Sequence, residues 1–372
     1  MTENKDCINP PKILMIAPLP PPVHGSAMMT QYIKDSKLIN EKFNLDWVNL
    51  STSRTMTEIG KKSYKKIFRF ASSFFKTFYK LATRRYKFCY LAITCHGGGF
   101  LKDAPFALLC KMFGYKLVIH QHNKGMSEDV DRPLFKFLLK KVYKNSTVIL
   151  LSERLYPDIS KIVNHNQVVI CPNGIPQVER YPKPNNPIPK LLFLSNLIES
   201  KGVLVLLDAC KILKDWGYSF TCDFIGGETK EIDKARFERE VKDRGLDDII
   251  YYLGPKYNED KNKSFSESDI FVLPTRNECF PLVLLEAMQQ GTPQVSTPVG
   301  GIPDIVNESE TGCIFDTDNS HDLAKKIEIL IENPDFRRIM GVASISRFNE
   351  MFSLNKFEEG ICEILKNVKM GG

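Results

Sequence analysis

The chain has 372 residues, 43% of them hydrophobic and 26% charged, which is more than one hydrophobic core usually serves, so two domains of ordinary size are expected. No run approaches the ~18 consecutive apolar residues of a membrane-spanning helix. The ten cysteines stand singly, without a CxxC pair or zinc spacing, which excludes a metal knuckle and a dithiol redox site and leaves buried reduced thiols. The net charge of +7 is moderate, so its distribution matters more than its size.

The polar start MTENKDCINPP fits neither a signal nor a transit peptide, and a cytoplasmic protein is expected. KILMIAP then reads as a short buried strand. It is followed by LPPPVHGSAMMTQYI, in which Gly25 and Ser26 precede an apolar-periodic helix beginning near Met28. A Gly-Ser turn there offers free backbone N–H groups to an anion, or is an ordinary strand-to-helix turn. The glycine spacing does not match GxGxxG, so a nicotinamide or flavin fingerprint is not supported.

FNLDWVNL is the next strand. Residues 59–102 then contain no acidic side chain, while residues 61–87 carry ten lysines and arginines. Ile67, Phe70, Phe74, Phe78 and Leu81 recur at helical spacing among them, which predicts a basic amphipathic helix. Its apolar stripe either covers the sheet or rests on an anionic membrane surface.

YLAITC, KLVIHQH, TVILLS and QVVICPN continue the strand series. His96-Gly97-Gly98-Gly99 follows the first of these and permits a sharp turn or the close approach of a ligand. His120 and His122 share one face if their strand runs through residue 120. A histidine at that tip hydrogen-bonds a substrate group, or is a satisfied structural imidazole. Asp129-Val130-Asp131 spells DxD ahead of RPLFKFLLKK and reads as the cap of that helix.

Residues 172–190 hold six prolines and no strand or helix pattern, which marks a linker. Beyond it KLLFLSN, FTCDFIGG, IIYYLG, DIFVLP and PQVST repeat the strand series, with helices such as VLVLLDACKILKDWG between them. The class is therefore α/β, with two successive parallel sheets. Such sheets bind ligands beyond the C-terminal ends of their strands, and two facing each other make a cleft. Asn196, Glu199, Lys201 and Gly202 lie in one such loop, where Lys201 suits a phosphate or is a solvated lysine.

In NECFPLVLLEAMQQGTP, Pro281 is pre-shaped for a first helical turn and Gly291 terminates the helix. Glu278 precedes the helix and Glu286 lies about one turn in, while Leu284, Leu285 and Met288 bury the other side. Carboxylates accept pairs of hydroxyls in charge-assisted hydrogen bonds, so the two could hold a molecule with hydroxyls at each end and phosphate between. Read singly, each is a surface acid. A second DxD, Asp316-Thr317-Asp318, sits in a polar loop, and residues 352–368 read as a tail helix with Leu354, Phe357, Ile361 and Ile364 inward.

HGSA, HQHN, CPNGI, SNLIESKG and ECFPLVLLEAMQQGTPQVSTPVGGIPDIV followed by ETGCIFDTDN together resemble the retaining glycosyltransferases of family 4, over nearly the whole chain. The resemblance implies the GT-B architecture of two facing Rossmann-like parallel-sheet domains, with the tail helix crossing back. Residues 1–180 with helix 352–372 would bind the acceptor, and residues 188–351 the nucleotide-sugar donor. Glu278 would contact hydroxyls of the transferred hexose-type sugar and Glu286 the ribose. Lys201 and the backbone around Gly25 and Phe280 would hold the diphosphate, with Ser26, Asn196, Cys279, Leu282 and Val283 also on the donor. His122 corresponds to the N-domain histidine near the reacting sugar, with His120 as second candidate and His24 on the acceptor side. No metal or cofactor is implied.

The resemblance implies a nucleotide sugar and a glycan or lipid-linked acceptor as partners and no nucleic acid, and the basic helix itself adds an anionic membrane surface through residues 61–87. Two positions depart from the family pattern: Ser195-Asn196 stands where a Gly-Arg pair is usual, and Pro281 where glycine is common. The departure at Asn196 motivates a second reading, a non-catalytic nucleotide-sugar binding subunit of a glycan-synthesis assembly. An epimerase fits the two glutamates and the histidine less well.

Overall fold

The computed structural model describes residues 10–54 and 63–368. Its first six strands are β1 (Lys12–Ala17), β2 (Asn44–Asn49), β3 (Cys89–Leu91), β4 (Leu117–His120), β5 (Thr147–Leu150) and β6 (Val168–Ile170). They form one parallel sheet in the order β2-β1-β3-β4-β5-β6. Helices lie between consecutive strands, so the central strands are apolar along their length: Ile13–Ala17 and Leu117–Ile119 are buried.

The second sheet comprises β7 (Lys190–Leu194), β8 (Thr221–Ile225), β9 (Ile250–Tyr252), β10 (Ile270–Leu273), β11 (Gln294–Ser296) and β12 (Gly312–Ile314). Its order is β12-β11-β10-β7-β8-β9, again parallel throughout. The sequence pattern missed β12, a three-residue edge strand opening on glycine. Its register with β11 (Val295 opposite Cys313) comes from tertiary pairing rather than local propensity.

Compactness divides the chain after Asn173 and again after Ser353. The proline-rich segment does not stand apart as a linker but lies on the C-terminal unit. Val178 N–H donates to Gln289 Oε1 at 3.1 Å, Gln290 Nε2 donates to the Glu179 carbonyl at 2.9 Å, and Lys183 Nζ donates to the Ser268 carbonyl at 2.8 Å. Side-chain amides thus satisfy a backbone that builds no ladder of its own.

The tail helix spans Leu354–Asn367, beginning two residues later than the periodicity suggests. Ser353 is extended and bridges Ile175, which breaks the preceding Phe348–Phe352 turn from the helix. The tail helix belongs to the N-terminal unit and packs on the Gly25–Asp35 and Lys37–Lys42 helices.

The basic segment forms the Tyr64–Thr83 helix, and Lys61 and Lys62 lie outside the described residues. Phe70 and Phe74 meet Phe106 edge-on at 5.4 and 5.6 Å, and Leu81 is buried. Ile67 and Phe78, expected on the same stripe, are largely exposed. The inward face is narrower than predicted because Thr77 and Lys80 share it, Lys80 paired with Asp46.

The described cysteines stand outside any disulfide, and all but Cys279 are buried. No helix of the described residues is long and apolar enough to cross a membrane.

Candidate functional site

In the second sheet the strand order reverses between β7 and β10, whose successors in the chain lie on opposite sides of the pair. The loops leaving these two strands therefore splay apart at their C-terminal ends and open a crevice, the place where parallel sheets take ligands. The loop after β7 carries Asn196 and Lys201, and the loop after β10 carries Glu278.

The two loops are tied together by the Arg276 N–H donating to the Ser200 carbonyl at 2.8 Å and by Thr275 Oγ1 donating to the same oxygen at 3.2 Å. Lys201 Nζ forms an ion pair with Glu278 Oε1. Gly202 follows at φ +82°, where an added Cβ would lie 2.0 Å from the Pro274 carbonyl oxygen, so only glycine lets the strands' loops approach this closely. It also opens the Val203–Asp215 helix, whose start has no side-chain cap. Lys201 thus sits at an uncapped N-terminus, where helix dipole and ammonium favour the same anion.

Glu278 is positioned from behind by Gly300 and Gly301. Gly301 N–H donates to the Cys279 carbonyl at 2.8 Å, and at Gly300 (φ +57°) a Cβ would lie 2.1 Å from the Glu278 carbonyl oxygen. Pro281 caps the following Leu282–Gln289 helix rather than occupying its first turn, and no side chain caps the free N–H groups there. Every residue of this helix is buried except Leu282, Val283 and Glu286. With half-buried Glu278 and Cys279 these make one accessible edge on an otherwise buried segment, while Phe280 turns inward against Phe352 at 5.9 Å. Glu286 pairs with Lys261 Nζ at 2.6 Å, a partner the sequence reading did not single out.

Asn196 Oδ1 accepts the Gly227 N–H at 3.1 Å. The adjoining Gly226 is pressed against the first loop, since its Cβ would stand 1.8 Å from the Ser195 carbonyl oxygen. Sequence reasoning treated FIGG as a strand end only; the paired glycines after a strand were the signal available.

In the first sheet the order reverses between β1 and β3, and a cavity of about 250 Å³ opens there. His24, Ser26, Thr94, Lys102, Asp103 and His122 line it. His24 is the N-cap of the Gly25–Asp35 helix, which starts three residues earlier than predicted: its Nδ1 accepts the Ala27 N–H at 3.4 Å and lies 3.1 Å from Ser26 Oγ. Gly25 forms the first turn. Burial lowers the His24 pKa, with Lys102 adding to the effect.

His120 and His122 stack with ring centroids 4.0 Å apart. His120 is fully buried and its Nδ1 is 2.6 Å from the Tyr90 hydroxyl, while its Nε2 has no hydrogen-bond partner among the described residues, so it is a structural imidazole satisfied at one nitrogen only. His122 faces the cavity, and neither of its ring nitrogens has a hydrogen-bond partner among the described residues. Burial pushes His122 down to about 3, with His24 contributing, and holds His120 well below the usual histidine range beside His122. Both are neutral near pH 7, so His122 can donate or accept a hydrogen bond but carries no charge.

Two expectations are corrected. The glycine run after His96 is neither a sharp turn nor a ligand loop but the first turn of the Gly97–Met112 helix. Asp129 caps that helix, accepting the Gly97 N–H, rather than the Pro133–Tyr143 helix that follows it in sequence. Asp318 of the second DxD pairs with Arg276. Among the described residues no cluster of three or more His, Cys, Asp or Glu is placed to hold a metal ion.

Residues 177–347, most of the C-terminal unit, match the family described as Glycosyl transferases group 1. A curated relative is the amylovoran biosynthesis glycosyltransferase AmsK of Erwinia amylovora, 32% identical over 141 residues, or 36% of this chain and 34% of that protein. The matched segment therefore spans about a third of that relative's length.

Among solved structures, sucrose-phosphate synthase from Thermosynechococcus elongatus superposes with a TM-score of 0.75 at 16% identity, covering 96% of this chain and 99% of that one. Anabaena HepE in complex with UDP-glucose superposes at 0.73 and 15% identity, covering 96% and 100%. The fold is GT-B: two six-stranded parallel sheets, each with flanking helices.

Proposed function

We propose that the chain is a glycosyltransferase that moves a hexose-type sugar from a nucleotide-diphosphate donor to a glycan or lipid-linked glycan in polysaccharide biosynthesis, retaining the anomeric configuration. The observation that carries this reading is the accessible edge Glu278–Glu286 on an otherwise buried helix, with Lys201 drawn onto Glu278 at the reversal of the sheet.

The C-terminal unit supplies the donor site in this reading. Lys201 and the uncapped N–H groups of the Val203–Asp215 and Leu282–Gln289 helices take the diphosphate, Glu286 accepts from the ribose hydroxyls, and Glu278 from hydroxyls of the transferred sugar. Lys201 and Lys261 hold the two carboxylates oriented until the donor arrives. In the N-terminal unit His122, neutral and without a hydrogen-bond partner among the described residues, gives its hydrogen bond to a hydroxyl of the reacting sugar, and Gly25 and Ser26, in the first turn after His24, offer polar groups to the donor. The 250 Å³ of the cavity suits one sugar ring or phosphate rather than a whole nucleotide sugar.

In the reaction the bond from the anomeric carbon to the diphosphate oxygen breaks. A bond to the acceptor oxygen forms on the same face, and the acceptor's proton passes to the departing phosphate. No protein nucleophile enters, so positioning and stabilisation of the leaving diphosphate supply the rate. UDP-sugars are the first donors to test, because HepE, of the same fold, was solved with UDP-glucose.

Release of nucleoside diphosphate in the absence of acceptor, abolished in Glu278→Ala, tests the reading, and NMR of the product anomer tests retention. The second reading, a binding subunit without turnover, draws on Asn196, which brings no charge and commits its carbonyl to Gly227. Donor binding without any release would select it.

A further inference from the structure

The Tyr64–Thr83 helix carries two aromatic faces, and its sequence periodicity displays only one. The inward face meets Phe106 through Phe70 and Phe74. On the outward face Tyr64, Phe68, Phe75 and Tyr79 are 77%, 76%, 69% and 62% exposed. At 3.6 residues per turn these four fall within about 60° of one another, with Ile67 and Phe78 beside them. A contiguous aromatic face of this kind on a soluble surface marks an interaction site.

The surface continues beyond the helix. Phe78 stacks edge-on with Phe113 at 5.7 Å, and Met112 next to it is 81% exposed. Met112 in turn lines a groove of about 1220 Å³ that holds Lys87, Lys111, Lys116, Lys141 and Lys144 and no carboxylate. Lys111 donates to the Lys144 carbonyl, and burial beside Lys144 lowers its pKa to about 8, so an anion in the groove would relieve an existing charge conflict. Lys65 and Lys76 lie on the flank of the aromatic face, and the helix itself contains no acidic residue.

We propose that this face of the N-terminal unit docks on an anionic lipid bilayer, the aromatic side chains entering the interface and the lysine groove taking lipid phosphates. Charge selects this occupant. A second copy would bring the same lysines against themselves, whereas an anionic surface attracts every one of them. Tyrosine and phenylalanine with flanking lysines are the side chains that rest at the boundary of headgroups and acyl chains. The helix lies in the surface plane, and the argument does not depend on which reaction the chain performs.

Sedimentation of the full-length protein with vesicles of phosphatidylcholine alone, and of phosphatidylcholine with phosphatidylglycerol, tests the proposal. Expected is binding to the anionic vesicles that falls with added salt. The exposed triple variant F68S/F75S/Y79S should bind about tenfold or more weakly. The charge variant K65E/K76E should show a comparable loss confined to the anionic vesicles. Thermal unfolding of both variants should stay close to the parent's, since these side chains are exposed and Phe75 makes an edge contact with Phe74 at 6.4 Å.

Any of three outcomes overturns the proposal: equal binding to both vesicle types, parent-like binding by the triple variant, or salt-sensitive binding to duplex DNA with none to vesicles. Concentration-dependent dimerisation that the triple variant abolishes would assign the face to a second copy instead. Failure of vesicle binding with intact donor hydrolysis would leave the proposed reaction standing, so the two are separable.

Discussion

Lys201 and Glu278, 77 positions apart in the sequence, share one ion pair at the point where the second sheet reverses its strand order. The side chains retain 23% and 20% of their exposure, so solvent still reaches the pair and its contribution to folding is modest. Its value lies in binding. Lys201→Ala is expected to weaken nucleoside diphosphate binding about tenfold to a hundredfold while changing unfolding stability by no more than about 1 kcal/mol. Calorimetric titration beside urea unfolding separates the two; a stability loss with unchanged affinity would make the pair structural.

Gly300 supports the same carboxylate through the backbone. At φ +57°, with the Glu278 carbonyl oxygen 2.1 Å from where a Cβ would sit, no side chain fits without moving the Glu278 loop. Gly300→Ala should cost about 1–3 kcal/mol of stability and depress turnover more than the loss of folded protein explains. Gly217, also at positive φ but with nothing near its Cβ position, provides the control: Gly217→Ala should cost only the backbone strain and leave specific activity intact.

The histidine pair makes an acid-sensitivity prediction. His122 has its pKa held down to about 3 by burial, whereas the unfolded chain titrates near the ordinary 6.5. As pH falls the unfolded state takes the proton first, so the stability of the neutral ring is whole above about pH 6.5 and is lost progressively towards pH 3. Because the ring faces a cavity open to water, the loss is smaller than full burial would give. Between pH 7 and pH 5 the parent should lose about 1 kcal/mol more than His122→Gln, read from urea midpoints at the two pH values. Equal losses would show that His122 does not titrate as buried.

Much of this was legible in the sequence because it is local. Apolar runs ending in turn residues located eleven of the twelve strands among the described residues, and the loops that follow strands located Lys201 and Glu278. What escaped depends on partners distant in sequence. β12 exists through its pairing with β11, and Lys261 matters only because the fold sets it on Glu286. Gly226 is a close-approach glycine only once Ser195 is packed against it. Asp129, adjacent in sequence to one helix, caps another. The choice between His120 and His122 needed Tyr90, which holds one ring nitrogen of the first, and the cavity, which the second faces.

Glu286 offers the most direct test of the donor site, since it stands on the accessible edge of its helix and pairs with Lys261. A thermal-shift series against uridine, guanosine and adenosine diphosphate sugars, run on the parent, Glu278→Ala and Glu286→Ala, measures whether the two carboxylates serve one ligand. One nucleotide sugar should raise the parent's melting temperature by several degrees, and each substitution should remove most of that shift while leaving the unliganded melt in place. No shift with any of the sugars, or a full shift surviving both substitutions, would contradict the account.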